Sequence, residues 1–512
     1  MNGAEALLTT ARDAGVDVCF ANPGTTEMPL VAALDAVGGI RPVLGLFEGV
    51  CTGAADGFAR MAGRPALTLL HLGPGLANGL ANLHNARRAH TPVLNLVGDH
   101  ATWHLACDSP LTSDIAALAA SVGWVRTSAD VKTVGVDVVG ALSAALPGRV
   151  ATLVVPADLQ AAPGAAPAAT PPPPTAPAPQ SSCVAAAISA LRRGTSSALY
   201  VGGPACRGDA LRHVTRIAEA TGCRLFVETF PARMERGAGM PRIERFGYFP
   251  EQIPGLVEGV DRVVLVGAPD PVTMFGWPGA VSRMLPEHVE VVTLARVDEN
   301  VVDALGAVAD AFPAAARSAR VVAFDPPPAP SGALDVSSLA AAVAATLPEH
   351  AVVVDEGATS SVPLYPALES APPHSWLTLT GGAIGQGLPC ATGAAIACPD
   401  RRVVSFQADG SGLYTLQALW TQARESLDVT TIVCANRAYR ILQIELARAG
   451  VAAAGRAAGG LTSLGTPTLD WVKLASGMGV PAVRVGDAQS LVRELRRATA
   501  EPGPRLIEAV IA

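Results

Sequence analysis

Only 4% of the 512 residues are aromatic and only 16% are charged, so neither large rings nor dense surface charge can organise this chain. Half the residues are apolar, and Ala, Val, Leu and Gly must build the interior, a composition suited to α/β layers whose buried strands read as continuous aliphatic runs. There is no cluster of Lys and Arg and the formal net charge is −7. That argues against nucleic acid or a membrane surface as partner, because phosphate recognition needs concentrated positive charge. A small molecule is the expected partner. No apolar run approaches the roughly 20 residues that cross a bilayer, and Glu5 stands where a secretory signal would be basic and then apolar; a cytoplasmic location is expected. The nine cysteines (Cys19, Cys51, Cys107, Cys183, Cys206, Cys223, Cys390, Cys398, Cys434) include no CxxC pair. They read as small buried hydrophobes, neither a disulfide framework nor a zinc site.

The length exceeds what one hydrophobic core supports and suits about three domains. Two proline-rich stretches divide it, APGAAPAATPPPPTAPAPQSS from Ala162 to Ser182 and DPPPAPSG from Asp325 to Gly332. Such segments favour extended polyproline II and read as linkers. The expected boundaries are 1–160 for a first domain, 161–182 for a linker, 183–320 for a central domain, 321–332 for a second linker and 333–512 for the last domain. All three domains alternate short aliphatic strands with helical patterns, the signature of parallel sheets covered by helices. Candidate strands are VDVCFANPG, RPVLGLFEG, ALTLLHLGPG and TPVLNLVGD in the first, ALYVGG, CRLFVE, RVVLVGAP and VEVVTLA in the second, and AVVVDEGATSS, RRVVSFQADGSG and DVTTIVCANRAY in the third. The expected fold class is α/β, with three doubly wound parallel sheets. Functional residues should sit just past the strand ends, where open α/β sheets bind ligands.

In VVSFQADGSGLYTLQALWTQARESLDVTTIVCANRAY, one strand ends in Asp409-Gly410-Ser411 and the next in Asn436, with a helix expected from near Leu413. Asp409 and Asn436 offer hard oxygens at neighbouring strand ends, the ligands that suit Mg²⁺ bridging a diphosphate. Gly410 lets backbone approach phosphate, and the amides of the helix start would face its charge. Either residue alone reads better as a cap or a turn former; their spacing is what matters. It resembles the motif of thiamine-diphosphate-dependent enzymes, in which a GDG-type turn is followed by a helix, a strand and Asn, with Ala408 here replacing the usual first Gly. The resemblance implies that Asp409, Asn436 and the main-chain carbonyl of Ala438 hold the metal.

The first domain is similar to the pyrimidine-binding domain of the same superfamily, in the branch of acetolactate synthases and benzoylformate decarboxylases. NPGTTEMPL (Asn22–Leu30), LFEGVCTGAADGFAR (Leu46–Arg60), HLGPGLANGLANLHNAR (His71–Arg87) and TPVLNLVGDH (Thr91–His100) carry it. Glu48 lies in an otherwise apolar stretch, where an unpaired carboxylate is costly. Pairing with Arg60 would explain it structurally. The resemblance implies instead that Glu48 hydrogen-bonds the aminopyrimidine ring of the cofactor. Ile384, in LTGGAIGQGLP, corresponds to the bulky apolar residue that bends the cofactor's two rings together, though it also reads as core beside Gly-rich turns. Ala358 and Thr359 match positions around the diphosphate, and Pro23, Gly24, Gly382, Gly410, Ser411 and Tyr439 complete the implied cofactor contacts.

The activity so implied is decarboxylation of a 2-oxo acid, with carboligation as in acetolactate synthases. His71 and Thr25 match an active-site histidine and serine of benzoylformate decarboxylase, so His71 would relay protons or bind the substrate carboxylate. A turn histidine and a capping threonine are the structural alternatives. Met274 stands where that enzyme carries a second catalytic histidine, and Ile441 and Glu445 where it carries pocket residues. Loss of a proton donor favours transfer of the acyl unit to a second carbonyl compound. The GDHATWH segment from Gly98 to His104 also looks like the acetolactate synthase branch, and no chemistry is assigned to it. The central domain has no GxGxxG after a strand, which counts against FAD there, although acetolactate synthases hold it. The other readings are a simple 2-oxo acid decarboxylase, a thiamine-dependent C–C lyase or hydrolase, and a non-catalytic cofactor-binding homologue. The family places active sites between subunits, so a homodimer or homotetramer is implied.

Overall fold

The computed structural model describes residues 1–511 except 171, 173–174, 278, 280, 314–320 and 452–454, so part of the first expected linker and the end of the expected central domain lie outside the described residues. Two compact units form, one gathering residues 1–174, 327–368 and 379–512, the other residues 175–326 and 369–378.

In the first unit, β1 (Val18–Asn22), β2 (Arg41–Leu44), β3 (Ala66–Leu70), β4 (Val93–Asp99), β5 (Trp124–Thr127) and β6 (Val150–Pro156) make a six-stranded sheet in the order β2-β1-β3-β4-β6-β5. Every pairing is parallel. The chain leaves β1 to form β2 on one side and returns to form β3 on the other. The carboxyl ends of β1 and β3 therefore flank a topological switch point, the crevice where such sheets bind ligands. Leu7, Val16, Cys19, Leu67, Leu69, Leu94 and Leu153 are buried in one core on this sheet.

The second unit holds β7 (Ser197–Val201), β8 (Arg224–Val227), β9 (Met234–Arg236), β10 (Glu244–Arg245), β11 (Arg262–Val266) and β12 (Glu290–Ala295). Five of these pair in the order β10-β8-β7-β11-β12, all parallel. The scarce aromatics concentrate here, with Phe246 set edge-on to Tyr200 at 4.9 Å and to Phe226 at 5.4 Å. β9 instead pairs antiparallel with a later strand, His374–Thr378, a reversal in a fold expected to be parallel.

That later strand is β14 (His374–Thr378), also of the second unit; the first unit holds β13 (Val352–Glu356), β15 (Val403–Ala408), β16 (Val429–Ala435), β17 (Ala482–Val485) and β18 (Arg505–Val510). The parallel run is β17-β18-β16-β15-β13. Helices Glu48–Ala62 and Gly387–Ala397 press against one another through glycines. A Cβ on Gly57 would collide with the Cys390 backbone, and one on Gly393 with the Ala54 carbonyl.

Cys19, Cys51, Cys206, Cys223, Cys390 and Cys434 are buried as expected, whereas Cys107 is exposed. Burial pushes the Cys19 thiol up to about 12.

Gly57→Ala tests the helix contact. Alanine gains about 1 kcal/mol of helix propensity, but forcing two backbones apart costs about 1–3 kcal/mol or more. A lowered thermal midpoint is expected, and a raised one would refute the contact.

Candidate active site

The switch point is organised by a carboxylate the sequence did not single out. Past β1, residues Thr25–Glu27 form a single 3₁₀ turn that folds Glu27 inward until it is fully buried. Its Oε2 accepts the Gly24 amide at 2.8 Å and lies 2.7 Å from His71 Nδ1, while Oε1 accepts the Thr26 hydroxyl at 2.6 Å. An ionised carboxylate can only accept hydrogen bonds, so Nδ1 of His71 carries a hydrogen directed at Glu27. No described residue bonds Nε2. Gly24 packs directly on the imidazole, where any Cβ would overlap the ring. His71 follows β3 as the residue before helix Leu72–Arg88, and Leu72 has φ of 52°, a left-handed conformation costing about 1–3 kcal/mol that turns the chain sharply into that helix. Of the residues read from sequence, Pro23, Gly24 and His71 meet here, while Thr25 is exposed and the hydroxyl near His71, at 3.3 Å, belongs to Thr26.

Glu48 opens helix Glu48–Ala62 and is half-buried. Its partner is not Arg60, which lies about 18 Å further along the helix and grips the buried Asp56 at 2.6 Å. Instead the Asn78 amide donates to Glu48 Oε2 at 3.0 Å. A Cβ added to Gly75 would lie 3.2 Å from Glu48 Oε1 and 3.4 Å from His71 Cβ, so Glu48 and His71 border the same small residue.

The Ile384 loop is held from two directions. Asn85 accepts from the Ala383 amide at 3.2 Å and donates to its carbonyl at 2.8 Å. Asn82 donates to the carbonyls of both Gly49 (2.8 Å) and Gly385 (3.3 Å), linking the chain beside Glu48 to the chain beside Ile384. From the other side Glu356 accepts the amides of Gly385, Gln386 and Gly387 at 2.6, 3.3 and 2.5 Å. Burial raises the Glu356 pKa, opposed by these amides and by the Gln407 side chain. Gly382 and Gly385 take φ of 76° and 96°, as a loop this tight requires. Ile384 is half-buried and Gly382 exposed.

At the edge of the last sheet, Ala408 pairs with Cys434, so Asp409 and Asn436 emerge side by side. Asp409 is 2% exposed, and burial raises its pKa against the amides of Arg437 and Gly410. The helix expected from near Leu413 is absent. A single turn, Asp409–Gly412, is followed by turns, and regular helix resumes at Ala418. The Thr415 hydroxyl bonds the Gly385 carbonyl at 2.8 Å, a tertiary bond made in place of helix continuation. Asn436 Oδ1 accepts the Ala438 amide at 3.0 Å, closing a turn in which Arg437 has φ of 59° and donates its amide to Asp409 Oδ2 at 2.7 Å. Tyr439 lies over Gly410, with a ring carbon 2.5 Å from where a Cβ would be, and the Trp471 ring covers Gly412 in the same manner. Ala358, with φ of 49°, and Thr359 begin the turn after β13, and Ser411 is buried. Ile441 and Glu445 lie on helix Arg440–Arg448, half-buried, with Glu445 3.5 Å from Arg448. Met274 belongs to the second unit and is 39% exposed. His100 bonds the Ser109 hydroxyl at 2.9 Å and lies edge-on to His104.

Two parallel sheets with these strand-end clusters have the architecture of a thiamine-diphosphate-binding protein. The description of thiamine pyrophosphate enzymes matches twice, the N-terminal TPP binding domain over residues 1–128 and the C-terminal TPP binding domain over 357–509. A Mycobacterium tuberculosis protein named "Putative acetolactate synthase large subunit IlvX" is 51% identical over 100% of this chain and 99% of its own length. The benzoylformate decarboxylase of Pseudomonas aeruginosa is 29% identical, covering 96% of each chain. The structure of the thiamine diphosphate-dependent 4-hydroxybenzoylformate decarboxylase of Rhodococcus jostii RHA1 shares the fold, with a TM-score of 0.87 at 24% identity over 100% of this chain and 99% of that one. The chain belongs to the thiamine pyrophosphate enzyme family, in the branch of acetolactate synthases and benzoylformate decarboxylases.

Glu27→Gln should disturb the His71 tautomer. Nitrogen-15 spectra of histidine-labelled protein are expected to show an Nδ1–H ring in the parent and a mixture in the variant, with a stability loss of about 1–3 kcal/mol. An unchanged spectrum would remove Glu27 from this role.

Proposed function

We propose that the protein is a thiamine-diphosphate- and Mg²⁺-dependent enzyme that decarboxylates a 2-oxo acid and joins the acyl unit to a second carbonyl compound, in the manner of acetolactate synthases. The supporting observation is the meeting of Glu48 and His71 at Gly75, beside the loop of Ile384. The residues at the second edge suit the metal. Asp409, the Asn436 side chain and the Ala438 carbonyl are hard oxygens, and a divalent cation would favour the ionised Asp409 that burial disfavours. Among the described residues no three His, Cys, Asp or Glu side chains gather into a self-sufficient metal site, so phosphate oxygens would complete the coordination.

Bound thiamine diphosphate would supply the electron sink for cleaving the bond between the 2-oxo carbon and its carboxylate. Glu48 would hydrogen-bond the pyrimidine and Ile384 would support the rings, with the Gly382 and Gly24 backbones and Pro23 beside them. Gly410, Ser411, Ala358, Thr359 and Tyr439 would line the diphosphate. His71, with Nε2 unpartnered and Glu27 behind it, would bind the substrate carboxylate or carry a proton, and Thr25 would face the same substrate. Met274 in place of a second histidine favours carboligation over protonation. No FAD is invoked for the central domain. No described helix is long and apolar enough to cross a membrane.

Purified protein given Mg²⁺, cofactor and a panel of 2-oxo acids should release CO₂ and form an acyloin. Aldehyde without acyloin would identify a simple decarboxylase, and no turnover with any 2-oxo acid would refute both. Glu48→Gln should bind cofactor nearly as well as the parent while losing about three orders of magnitude in rate. If sites lie between two subunits of a homodimer or homotetramer, co-expressing Glu48→Gln and Asp409→Asn chains should restore about one quarter of the activity, because half the dimers then hold one intact site. No restoration would place each site within one chain.

A further inference from the structure

We propose that Glu356 and Gln407 form a buried strut that transmits occupancy of the turn Asp409–Ser411 to the loop carrying Ile384, which rests on reading that turn as the diphosphate site. Glu356 and Gln407 are direct partners in the register of β13 and β15, so both side chains leave the same face of the sheet. Gln407 Nε2 donates to Glu356 Oε2 at 3.1 Å and to Ser411 Oγ at 2.6 Å. A carboxylate only accepts, which fixes the orientation of the amide with its two hydrogens spanning Glu356 and Ser411. The Ser411 hydroxyl passes its own hydrogen to the Ala408 carbonyl at 3.3 Å. At the other end, the two Glu356 oxygens take the three successive amides of Gly385, Gln386 and Gly387. An unbroken chain of hydrogen bonds therefore runs from the turn to the residues just after Ile384.

The strut has little slack. Glu356, Gln407 and Ser411 are 4%, 0% and 4% exposed. Gly387 lies flat on it, with a Cβ there only 2.8 Å from Glu356 Oε2. The Gln407 carbonyl oxygen is buried with no hydrogen-bond partner among the described residues, a cost that an aliphatic side chain would avoid. What the glutamine contributes is its amide hydrogens, and both are spent on the link. A ligand that orders Ser411 thus restrains Gln407, and through Glu356 it restrains the backbone that aims Ile384. Gln407 and Glu356 are positioning residues in this scheme.

The probe is inorganic pyrophosphate with Mg²⁺, binding measured by calorimetry and loop opening by hydrogen–deuterium exchange of the peptide spanning 381–388 in the full chain. In the parent, saturating pyrophosphate should slow exchange at Gly385–Gly387 by about tenfold. Gln407→Leu and Ser411→Ala, each saturated, should show less than about a twofold change; the serine variant decides alone if Gln407→Leu does not fold. Parent protein that binds pyrophosphate without slowing, or a Gln407→Leu protein that keeps the full slowing, overturns the strut and leaves the site reading intact. Loss of pyrophosphate binding in Gln407→Leu would make Gln407 a direct contact and also overturn the strut. A parent that binds no pyrophosphate overturns the reading of the turn, and the proposal falls with it.

Discussion

Helices Glu48–Ala62 and Gly387–Ala397 approach until glycines face backbone, and the arrangement of the site depends on that closeness. Glu48 opens the first helix and the Ile384 loop opens the second, so the approach brings together two segments more than 300 residues apart in sequence. The contact is sealed polar as well as apolar. Asp56 receives both Arg60 and the Gln386 side-chain amide inside it, so this buried ion pair is satisfied from both helices. Replacing one partner alone would strand a charge.

Within this frame the site is ordered by carboxylates withdrawn from water. Glu27 and Glu356 each collect several donors, and a group that only accepts dictates the orientation of everything around it. Glu27 holds a hydrogen on Nδ1 of His71; Glu356 shapes the backbone after Ile384. Neither is aimed at open space, and each works through the residue it holds. The left-handed backbone at Leu72, Ala358 and Arg437 falls at the same strand ends, where sharp exits from β3, β13 and β16 are needed.

What could be read from the sequence was local. Aliphatic runs marked the strands that carry the site, and the separation of Asp409 from Asn436 marked neighbouring strand ends. Glu48 stood out because a carboxylate in an apolar stretch needs a reason. Glu27 was hidden because its partner His71 is 44 residues away, though a Glu three residues after Gly24, placed to accept the Gly24 amide, was a signal. Glu356 and Gln407 meet only through sheet register, which no periodicity encodes. Thr25 was singled out by its match to a serine, and only the 3₁₀ turn shows that Thr26 is the threonine 3.3 Å from the imidazole. The helix expected near Leu413 failed for a related reason, since Thr415 is committed to a distant carbonyl.

The paucity of rings has a practical side. Trp471, wholly buried, lies against Gly412 at the end of the Asp409 turn, while Trp103 and Trp277 are 74% and 50% exposed. An indole shielded from water emits at shorter wavelength than hydrated ones and is insensitive to dissolved quenchers. With iodide silencing the surface indoles, the remaining blue emission would come chiefly from Trp471 and the equally buried Trp376, so in a protein lacking Trp376 it becomes an intrinsic optical gauge of order in that turn without any added label.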